Sequence, residues 1–461
     1  MTFTIAWEEA VITPTFPPWP SLWMGGYGWV PRGGSNGGVA RHLRAQCMVI
    51  HDGDRPHVLL RVDVPTIPRV VHQTIRERVV SDGLVASNDF LISVSHTHSG
   101  PQIGCTRPDP FIVMGLTPAD IVAVNGSTEV FVDALVELVR TAVNSDTVEV
   151  NLAYAEGDVQ IGFNRIDAPD VLTGVPVLVA RRTGDDAVCA VLFGYSCHPV
   201  SRGNDETFDS DFCGHASELV SERLGVPAFF FQGTAGDQDP EIPHGPDKVG
   251  QLGEKLADAV VDVVDNGQFT PVTGPIVSMY TEIELPFVVD LSRPEVQAEL
   301  IGKYQARLDS AETTEWARRH ATVMLDQLKN GRTPTGVPMP VQRWRFDGLT
   351  ILALGHEVLS HYHVAITELV DSPLWIMGYA NEVECYIPGD ETLWAGGDVH
   401  IGYEAGWTDD PLITGDATNM MAYGWPAPLA SSPRDLPRDG DGSPGSLQRT
   451  VMDAVRQILA A

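Results

Sequence analysis

The feature of the sequence that most constrains the fold is a series of short apolar segments, each followed directly by a turn rich in histidine, glycine or acidic residues. Residues 89–95 lead into HTHSGP, residues 187–195 into SCHP, and residues 226–232 into GTAGDQDP. Apolar runs of this length that end in turn residues are typical of buried strands. Helical patterns at 215–224 and 248–264 flank the third run. This alternation predicts an α/β fold, with a mixed β-sheet core, flanking helices and an active site in loops at strand ends.

Local patterns predict several further elements. They are a strand pair from Arg44 to Val64 that turns at Asp52-Gly53, a helix from Ser127 to about Val143, a long polar helix capped by Ser292 and Glu295 and reaching about Lys329, a hairpin that turns at Asp347-Gly348, and a strand from Leu374 to Ala380. Residues 425–445, rich in proline, glycine and aspartate, predict a surface loop, and 446–461 a terminal helix. We expect one domain over 1–461.

Charge and composition exclude several classes of partner. The chain carries 61 acidic against 30 basic residues, a formal net charge of −31, and a field of that sign repels nucleic acids and anionic lipid surfaces. The N-terminus shows no signal peptide and no apolar run is long enough to span a membrane, so we expect a cytoplasmic protein unless a leader has been removed. The six cysteines form no CxxC pair, and we interpret them as buried apolar side chains.

Two histidine-bearing turns supply the first candidate metal ligands. His96 and His98 are two residues apart on an extended chain, which directs both side chains to the same side. His198 likewise follows an apolar segment and precedes a proline. Imidazole is a common zinc ligand. A histidine pair is as often a surface feature, however, and a single histidine is more often a core residue, so these turns alone leave both interpretations open.

Acidic residues near these turns offer a base or further ligands. Asp209, Asp211 and His215 closely follow the second histidine turn, where they are ligand candidates or part of a solvated acidic loop. Asp237 and Asp239 lie in the glycine-rich turn, whose backbone N–H groups and carboxylates can approach a ligand. That turn lacks the ending of a phosphate-binding loop, so a base or oxyanion role fits better. The sequence does not choose between the two aspartates.

The segment GHEVLSHYH resembles a metalloprotease helix but departs from its spacing. Such a helix requires HExxH, yet the fourth residue after His356 is Ser360, and His361 comes one position late. A step of five residues turns about 140° around a regular helix, so His356 and His361 diverge unless the helix is distorted. An HExxxH peptidase is therefore a minority hypothesis.

Together, eight segments resemble the catalytic domain of the neutral, non-lysosomal ceramidases, and they occur in that family's chain order. They are MGGYG, SHTHSGP, FNR, SCHPVS, SDFCGHAS, GTAGDQDP, LGHE and GYANEVECYIP. They span about residues 24 to 390, so the resemblance covers most of the chain. It implies one zinc ion per chain, held by His96, His198, Glu357 and Tyr386, and cleavage of a carboxamide by zinc-bound water.

The same resemblance implies roles for residues around the metal. His98 and Arg165 match positions that contact the scissile amide or its oxyanion, and we place Tyr27 of MGGYG in substrate binding. Asp239 stands where the family has a serine, so a serine acyl-enzyme is excluded there. Asp398 stands twelve residues after Tyr386, where the family has a tyrosine, and we assign it to substrate binding too.

These departures, and the lack of the family's immunoglobulin-like C-terminal domain, argue against ceramide as the substrate. A smaller, more polar amide or ester is expected as the partner, and a homo-oligomer is possible. Three alternatives stay open: an esterase or lactonase on the same zinc centre, the HExxxH peptidase, and a non-catalytic metal-binding protein.

Overall fold

The computed structural model describes residues 3–28, 31–34, 38–395, 403–405, 419–435 and 441–461. Asp398 and part of the predicted 425–445 loop lie outside these ranges. Among the described residues, no helix is long and apolar enough to cross a membrane.

Sixteen strands and eleven helices make up the described chain. The strands are β1 (Phe3–Val11), β2 (Arg44–Asp52), β3 (Arg55–Val62), β4 (Phe90–Val94), β5 (Val148–Asp158), β6 (Gly162–Asn164), β7 (Gly174–Arg182), β8 (Val188–Tyr195), β9 (Ala228–Gln232), β10 (Gln238–Pro240), β11 (Thr270–Pro286), β12 (Gly336–Asp347), β13 (Thr350–Leu354), β14 (Glu357–Val358), β15 (Leu374–Met377) and β16 (Tyr386–Ile387). The helices are α1 (Arg69–Ser81), α2 (Pro110–Met114), α3 (Pro118–Val143), α4 (Asp211–Leu224), α5 (Pro246–Asn266), α6 (Pro294–Asp309), α7 (Glu315–Lys329), α8 (Ser360–Thr367), α9 (Asp390–Ala395), α10 (Asn419–Tyr423) and α11 (Leu447–Ala460).

One mixed sheet of twelve strands organises the fold, as the sequence predicts. Its order is β15-β13-β12-β11-β5-β1-β2-β3-β4, and β7, β8 and β9 branch from β5. Most pairs are antiparallel, but β3 with β4, β8 with β9, and β13 with β15 are parallel. Because carboxyl ends of parallel strands lie side by side, the loops after β3 and β4 are neighbours, as are those after β8 and β9 and those after β13 and β15.

The sheet encloses one apolar core and supports others on its outer faces. The central core contains Leu59, Leu178, Phe229, Trp344 and Ile351, all carried by strands. Helices α1 and α3 pack over β2 and β3, α4 and α5 over β7 and β8, and α8 and α11 over β12 and β13. Helices flank the sheet on several sides, which confirms the predicted fold class.

Most predicted strands are confirmed, whereas two helix predictions are wrong in their bounds. Helix α3 begins at Pro118 rather than Ser127, because Thr117 and Asp120 form a capping box ahead of it. The long polar helix is two helices, α6 and α7, and Ser292 does not cap it, since the N-cap residue is Arg293.

The predicted loop from residue 425 is also partly wrong. Trp425 is buried, and its indole donates a hydrogen bond to the carbonyl oxygen of Glu384. The start of this segment is therefore part of the core, although its composition resembles a surface loop.

Candidate metal centre

Three loops from the large sheet bring the candidate ligands together. His96 follows β4, His198 follows β8, and Glu357 follows β13 at the start of β14. His96 has φ 64°, in the left-handed region, so the backbone turns sharply as it leaves β4. Strand β14 pairs in parallel with β16, and the register sets Glu357 opposite Tyr386. Two candidate ligands are thus neighbours across a short ladder.

Backbone carbonyls fix the orientation of both imidazoles. Nδ1 of His96 lies 2.5 Å from the carbonyl oxygen of Pro65, and Nδ1 of His198 lies 2.6 Å from that of Ala235. A carbonyl only accepts, so each Nδ1 carries the proton and each Nε2 presents a lone pair. These Nε2 atoms lie 3.1 Å and 3.2 Å from the same oxygen, Oε2 of Glu357.

Two tyrosines that the sequence analysis did not nominate hold this carboxylate. The hydroxyl of Tyr423 donates to Oε1 of Glu357, and the hydroxyl of Tyr379 lies 3.5 Å from Oε2. The ring of Tyr379 also packs on His96, with ring centroids 4.4 Å apart. Tyr386 places its hydroxyl 3.5 Å from Nε2 of His198.

His98 completes a compact cluster of three histidines. Its Nε2 is 3.1 Å from Nε2 of His96, and one nitrogen from each of His96, His98 and His198 fits within 4.8 Å. Burial, with the neighbouring imidazoles adding to it, lowers the pKa of His98 well below its ordinary value. Tyr27 packs edge-on against the His98 ring, with centroids 4.9 Å apart.

The glycine-rich turn before Tyr27 fits closely around His98. A Cβ atom at Gly26, which has φ +98°, would lie 2.8 Å from Cγ of His98. Arg32 closes the same turn by donating to the carbonyl oxygens of Gly25 and His98. A residue without a side chain is therefore required where the loop crosses the histidine.

The cluster needs a positive charge at its centre, and a divalent metal suits it. Two imidazole lone pairs and a carboxylate oxygen face one another at hydrogen-bond distance, so they repel unless a proton or a cation lies between them. Burial lowers the pKa of His96, which disfavours a proton there. Two imidazoles, a carboxylate and a phenol oxygen are ligands that zinc accepts. The residues present therefore fit a zinc ion.

Arg165 lies beside the ligands and is held by two acids. It follows β6, which pairs with β10 so that Phe163 is opposite Asp239. Its guanidinium lies 3.0 Å from Asp239 and 2.6 Å from Glu404, and Nη2 donates to the hydroxyl of Tyr386 over 3.2 Å. A fixed cation therefore stands next to a candidate ligand.

Comparison with solved structures finds the same arrangement of elements. No protein-family model and no curated protein matches this sequence. The crystal structure of neutral ceramidase from Pseudomonas aeruginosa, at 18% identity, aligns over 92% of this chain and 73% of that chain with a TM-score of 0.66. A ceramidase complexed with C2, at 17% identity, aligns over 92% and 74% with a TM-score of 0.65. This chain has the neutral ceramidase fold. The resemblance predicted from the sequence motifs is thereby confirmed for the fold.

Within the ceramidase fold, the two aspartates of the glycine-rich turn have different surroundings. Asp237 accepts hydrogen bonds from the backbone N–H and the hydroxyl of Ser360, at 2.8 Å and 2.6 Å, and from Asn164 at 2.8 Å. Its carboxylate thus joins the segment after Glu357 to the residue before Arg165. Asp239 instead forms the ion pair with Arg165.

The structure contradicts the HExxxH helix. Glu357 belongs to a strand, and helix α8 begins only at Ser360, so His356 and His361 do not share a helix. Both ring nitrogens of His356 are engaged, one with the carbonyl oxygen of Pro338 and the other with the backbone N–H of Glu384. His356 is thus a structural residue that ties β14 to the following loop.

The candidate metal centre opens into a small cavity of about 50 Å³. Its walls include Tyr27, Val113, Met114, Tyr403 and Tyr423. Tyr403 was not nominated from the sequence, yet it contacts Tyr386 with ring centroids 5.8 Å apart. Tyrosines other than Tyr386 therefore surround the candidate ligands. Asp398, which the sequence analysis assigns to substrate binding, lies outside the described ranges.

Proposed function

We propose that the protein is a zinc-dependent hydrolase that cleaves a carboxamide, with His96, His198, Glu357 and Tyr386 as the metal ligands. The observation that carries this proposal is the convergence of two imidazole Nε2 atoms on one oxygen of Glu357. The neutral ceramidase fold supports the reaction class, because proteins named ceramidases share it. When bound, zinc would polarise a carbonyl and make a water more acidic.

We propose that two residues, Arg165 and His98, act on the amide. Arg165 carries a fixed positive charge that can stabilise negative charge developing on the carbonyl oxygen. His98 is neutral because of burial, its Nε2 faces the ligands, and its buried Nδ1 has no hydrogen-bond partner among the described residues. We assign His98 to hold a proton at the scissile amide, with Tyr27 packed behind its ring.

Neither aspartate fits a general base. Burial raises the pKa of Asp239, but the charge of Arg165 outweighs that effect and leaves the pKa below its ordinary value. A base works best with a pKa near the operating pH, so we propose that Asp239 orients Arg165. Both carboxylate oxygens of Asp237 accept hydrogen bonds from Ser360 and Asn164. We propose that Asp237 positions the segments that carry Glu357 and Arg165.

Metal analysis of three proteins tests the proposal. Zinc is measured by plasma mass spectrometry on wild type, His198→Ala and His98→Ala, each purified without added metal. We expect near-stoichiometric zinc in the wild type, loss in His198→Ala, and retention in His98→Ala together with loss of amide hydrolysis. A wild type without metal refutes the zinc centre, and loss of zinc in His98→Ala would instead make the three histidines the ligand set.

Matched amide and ester substrates distinguish the proposed amide hydrolase from an esterase or lactonase. An esterase or lactonase on the same centre would turn over the ester but not the amide at any zinc loading. Bound zinc without turnover of either substrate would favour the non-catalytic protein.

A further inference from the structure

We propose that the acyl group of the substrate is short, with about two to four carbons, because the cavity at the ligands admits only a few atoms. This inference rests on the proposed hydrolysis and specifies the substrate class. It predicts amides of small carboxylic acids rather than of fatty acids.

The volume of the cavity sets the limit. It measures about 50 Å³ and reaches His96, His98 and Glu357. One water needs roughly 10–15 Å³ of such space, so the cavity holds about three to five water-sized groups. The reacting carbonyl takes two of these places, and what is left accommodates a short chain only.

One part of the cavity wall is apolar and belongs to the core. Val113 and Met114 of α2 and Ala422 of α10 line the cavity. All three are buried in one apolar cluster with residues of α3, α6 and α7. Apolar side chains on this wall suit the hydrocarbon part of an acyl group and give a charged group no partner.

Helix α2 is fixed at both ends, so this wall cannot easily retreat. Asp109 accepts hydrogen bonds from the backbone N–H groups of Phe111 and Ile112. Gly115 ends the helix with φ 69°, and Arg319 of α7 donates to the carbonyl oxygen of Ile112 over 2.9 Å. A longer chain would have to displace packed core side chains, which is unfavourable in a close-packed interior.

The glycine-rich loop limits the cavity from the other side. A Cβ atom at Gly28 would lie 3.6 Å from Cγ1 of Val113, an ordinary van der Waals distance, so one methyl group would fill the space between the loop and α2 there. Tyr27 also lines the cavity and packs edge-on against His98. Among the described residues, the loop and α2 therefore leave little space between them for a long acyl group.

A series of acyl lengths tests the inference. Zinc-loaded wild type is assayed with acetyl, butyryl, octanoyl and palmitoyl 4-nitroanilides and with the matching 4-nitrophenyl esters. We expect kcat/KM to be highest for acetyl or butyryl and to fall roughly 10-fold or more at octanoyl. Equal or higher kcat/KM for octanoyl or palmitoyl overturns it.

A binding measurement gives a readout that does not need turnover. Acetohydroxamate, butyrohydroxamate and octanohydroxamate are titrated calorimetrically into the zinc-loaded protein, and the two short compounds are expected to bind more tightly. Tighter binding of the octanoyl compound contradicts the inference even if no amide is cleaved. If only the esters are hydrolysed, amide hydrolysis fails while the esters still decide the acyl length.

Two matched side-chain truncations test whether the apolar wall limits the length of the acyl group. Met114→Ala enlarges the cavity and is expected to move the preferred acyl length upward. Met324→Ala removes the same atoms from the same apolar cluster but lies outside the cavity, so it should keep the wild-type preference. Val113→Ala replaces Met114→Ala if that variant does not fold. An unchanged preference in the cavity variant, or the same change in Met324→Ala, contradicts the assignment of this wall.

Discussion

Removal of one hydroxyl, in Tyr423→Phe, should weaken zinc binding without removing a ligand. The hydroxyl donates to Oε1 of Glu357, whereas the two imidazoles face Oε2. Tyr423 therefore holds the carboxylate in the orientation that presents Oε2 to the metal. Phenylalanine keeps the buried ring and removes only this hydrogen bond.

The size of the effect follows from the charge of the acceptor. A hydrogen bond to a charged group contributes about 1.5–3 kcal/mol, and each 1.4 kcal/mol changes an equilibrium constant about tenfold. Loss of a group that orients a ligand commonly weakens metal binding about 10- to 100-fold. We expect the zinc Kd of Tyr423→Phe to rise within this range.

Competition with a zinc chelator of known affinity measures the Kd, and Tyr304→Phe is the matched control. Tyr304 is also buried, and its hydroxyl donates to the carbonyl oxygen of Pro426 over 2.5 Å rather than to a candidate ligand. It should lose stability but keep the wild-type Kd. If Tyr423→Phe binds zinc as tightly as wild type while His198→Ala does not bind it, the orienting role of Tyr423 is refuted.

Three further changes test other parts of the site and the fold. Arg165→Ala should lower kcat about 10²- to 10³-fold with little change in KM, as expected for a group that acts on the transition state, and steady-state kinetics of this variant against Arg165→Lys checks it. Gly26→Ala should lower activity and melting temperature together, because its Cβ would lie 2.8 Å from Cγ of His98 and its φ is +98°; a variant with wild-type values contradicts that clash. Burial chiefly, with Asp209 adding to it, raises the pKa of Asp211 to about 6 from 3.8. The folded state therefore binds a proton on the Asp211 carboxylate more tightly than the unfolded state does. The free energy of unfolding consequently falls as pH rises from about 4 to 6. Relative to Asp211→Asn, urea unfolding of the wild type should lose about 3 kcal/mol across that window, and parallel curves would contradict it.

Two of the four candidate ligands were predicted from local sequence, because each follows an apolar segment directly. His96 and His198 each follow an apolar strand, and the structure places both at the ends of strands in the large sheet. Glu357 and Tyr386 were reached only through the family resemblance, since neither stands in a pattern that marks a metal ligand. Their pairing across β14 and β16 depends on a register between residues 29 positions apart.

No pattern in the sequence predicted the residues that contact the candidate ligands. Tyr423 contacts Glu357 from helix α10, for which the sequence analysis predicted no element, and Glu404 reaches Arg165 across 239 positions of the chain. Tyr379 lies in the segment GYANEVECYIP. The spacing of residues in that segment does not predict that its hydroxyl and ring contact Glu357 and His96. Hydrogen bonds of this kind depend on the tertiary arrangement, and only the folded chain displays them.

The two errors in helix bounds have a different cause, because the sequence contains the features that mark the observed helix ends. Thr117, Pro118 and Asp120 form a standard helix start that precedes the predicted one by about three turns. The break between α6 and α7 falls at 310–314, where serine and threonine replace the regular apolar spacing. These errors left the candidate site unaffected, since neither helix carries a ligand.

A histidine cluster can bind a metal only when its imidazole lone pairs point to one place. In this chain, backbone carbonyl oxygens rather than a sequence motif determine that orientation. The carbonyl oxygens of Pro65 and Ala235 fix Nδ1 of His96 and His198, and any residue at those two positions would offer the same oxygen. A substitution there need not disturb the site unless it moves the backbone. Motifs therefore report which groups take part, whereas the sheet that aligns the loops after β4, β8 and β9 determines that both lone pairs meet at one carboxylate oxygen.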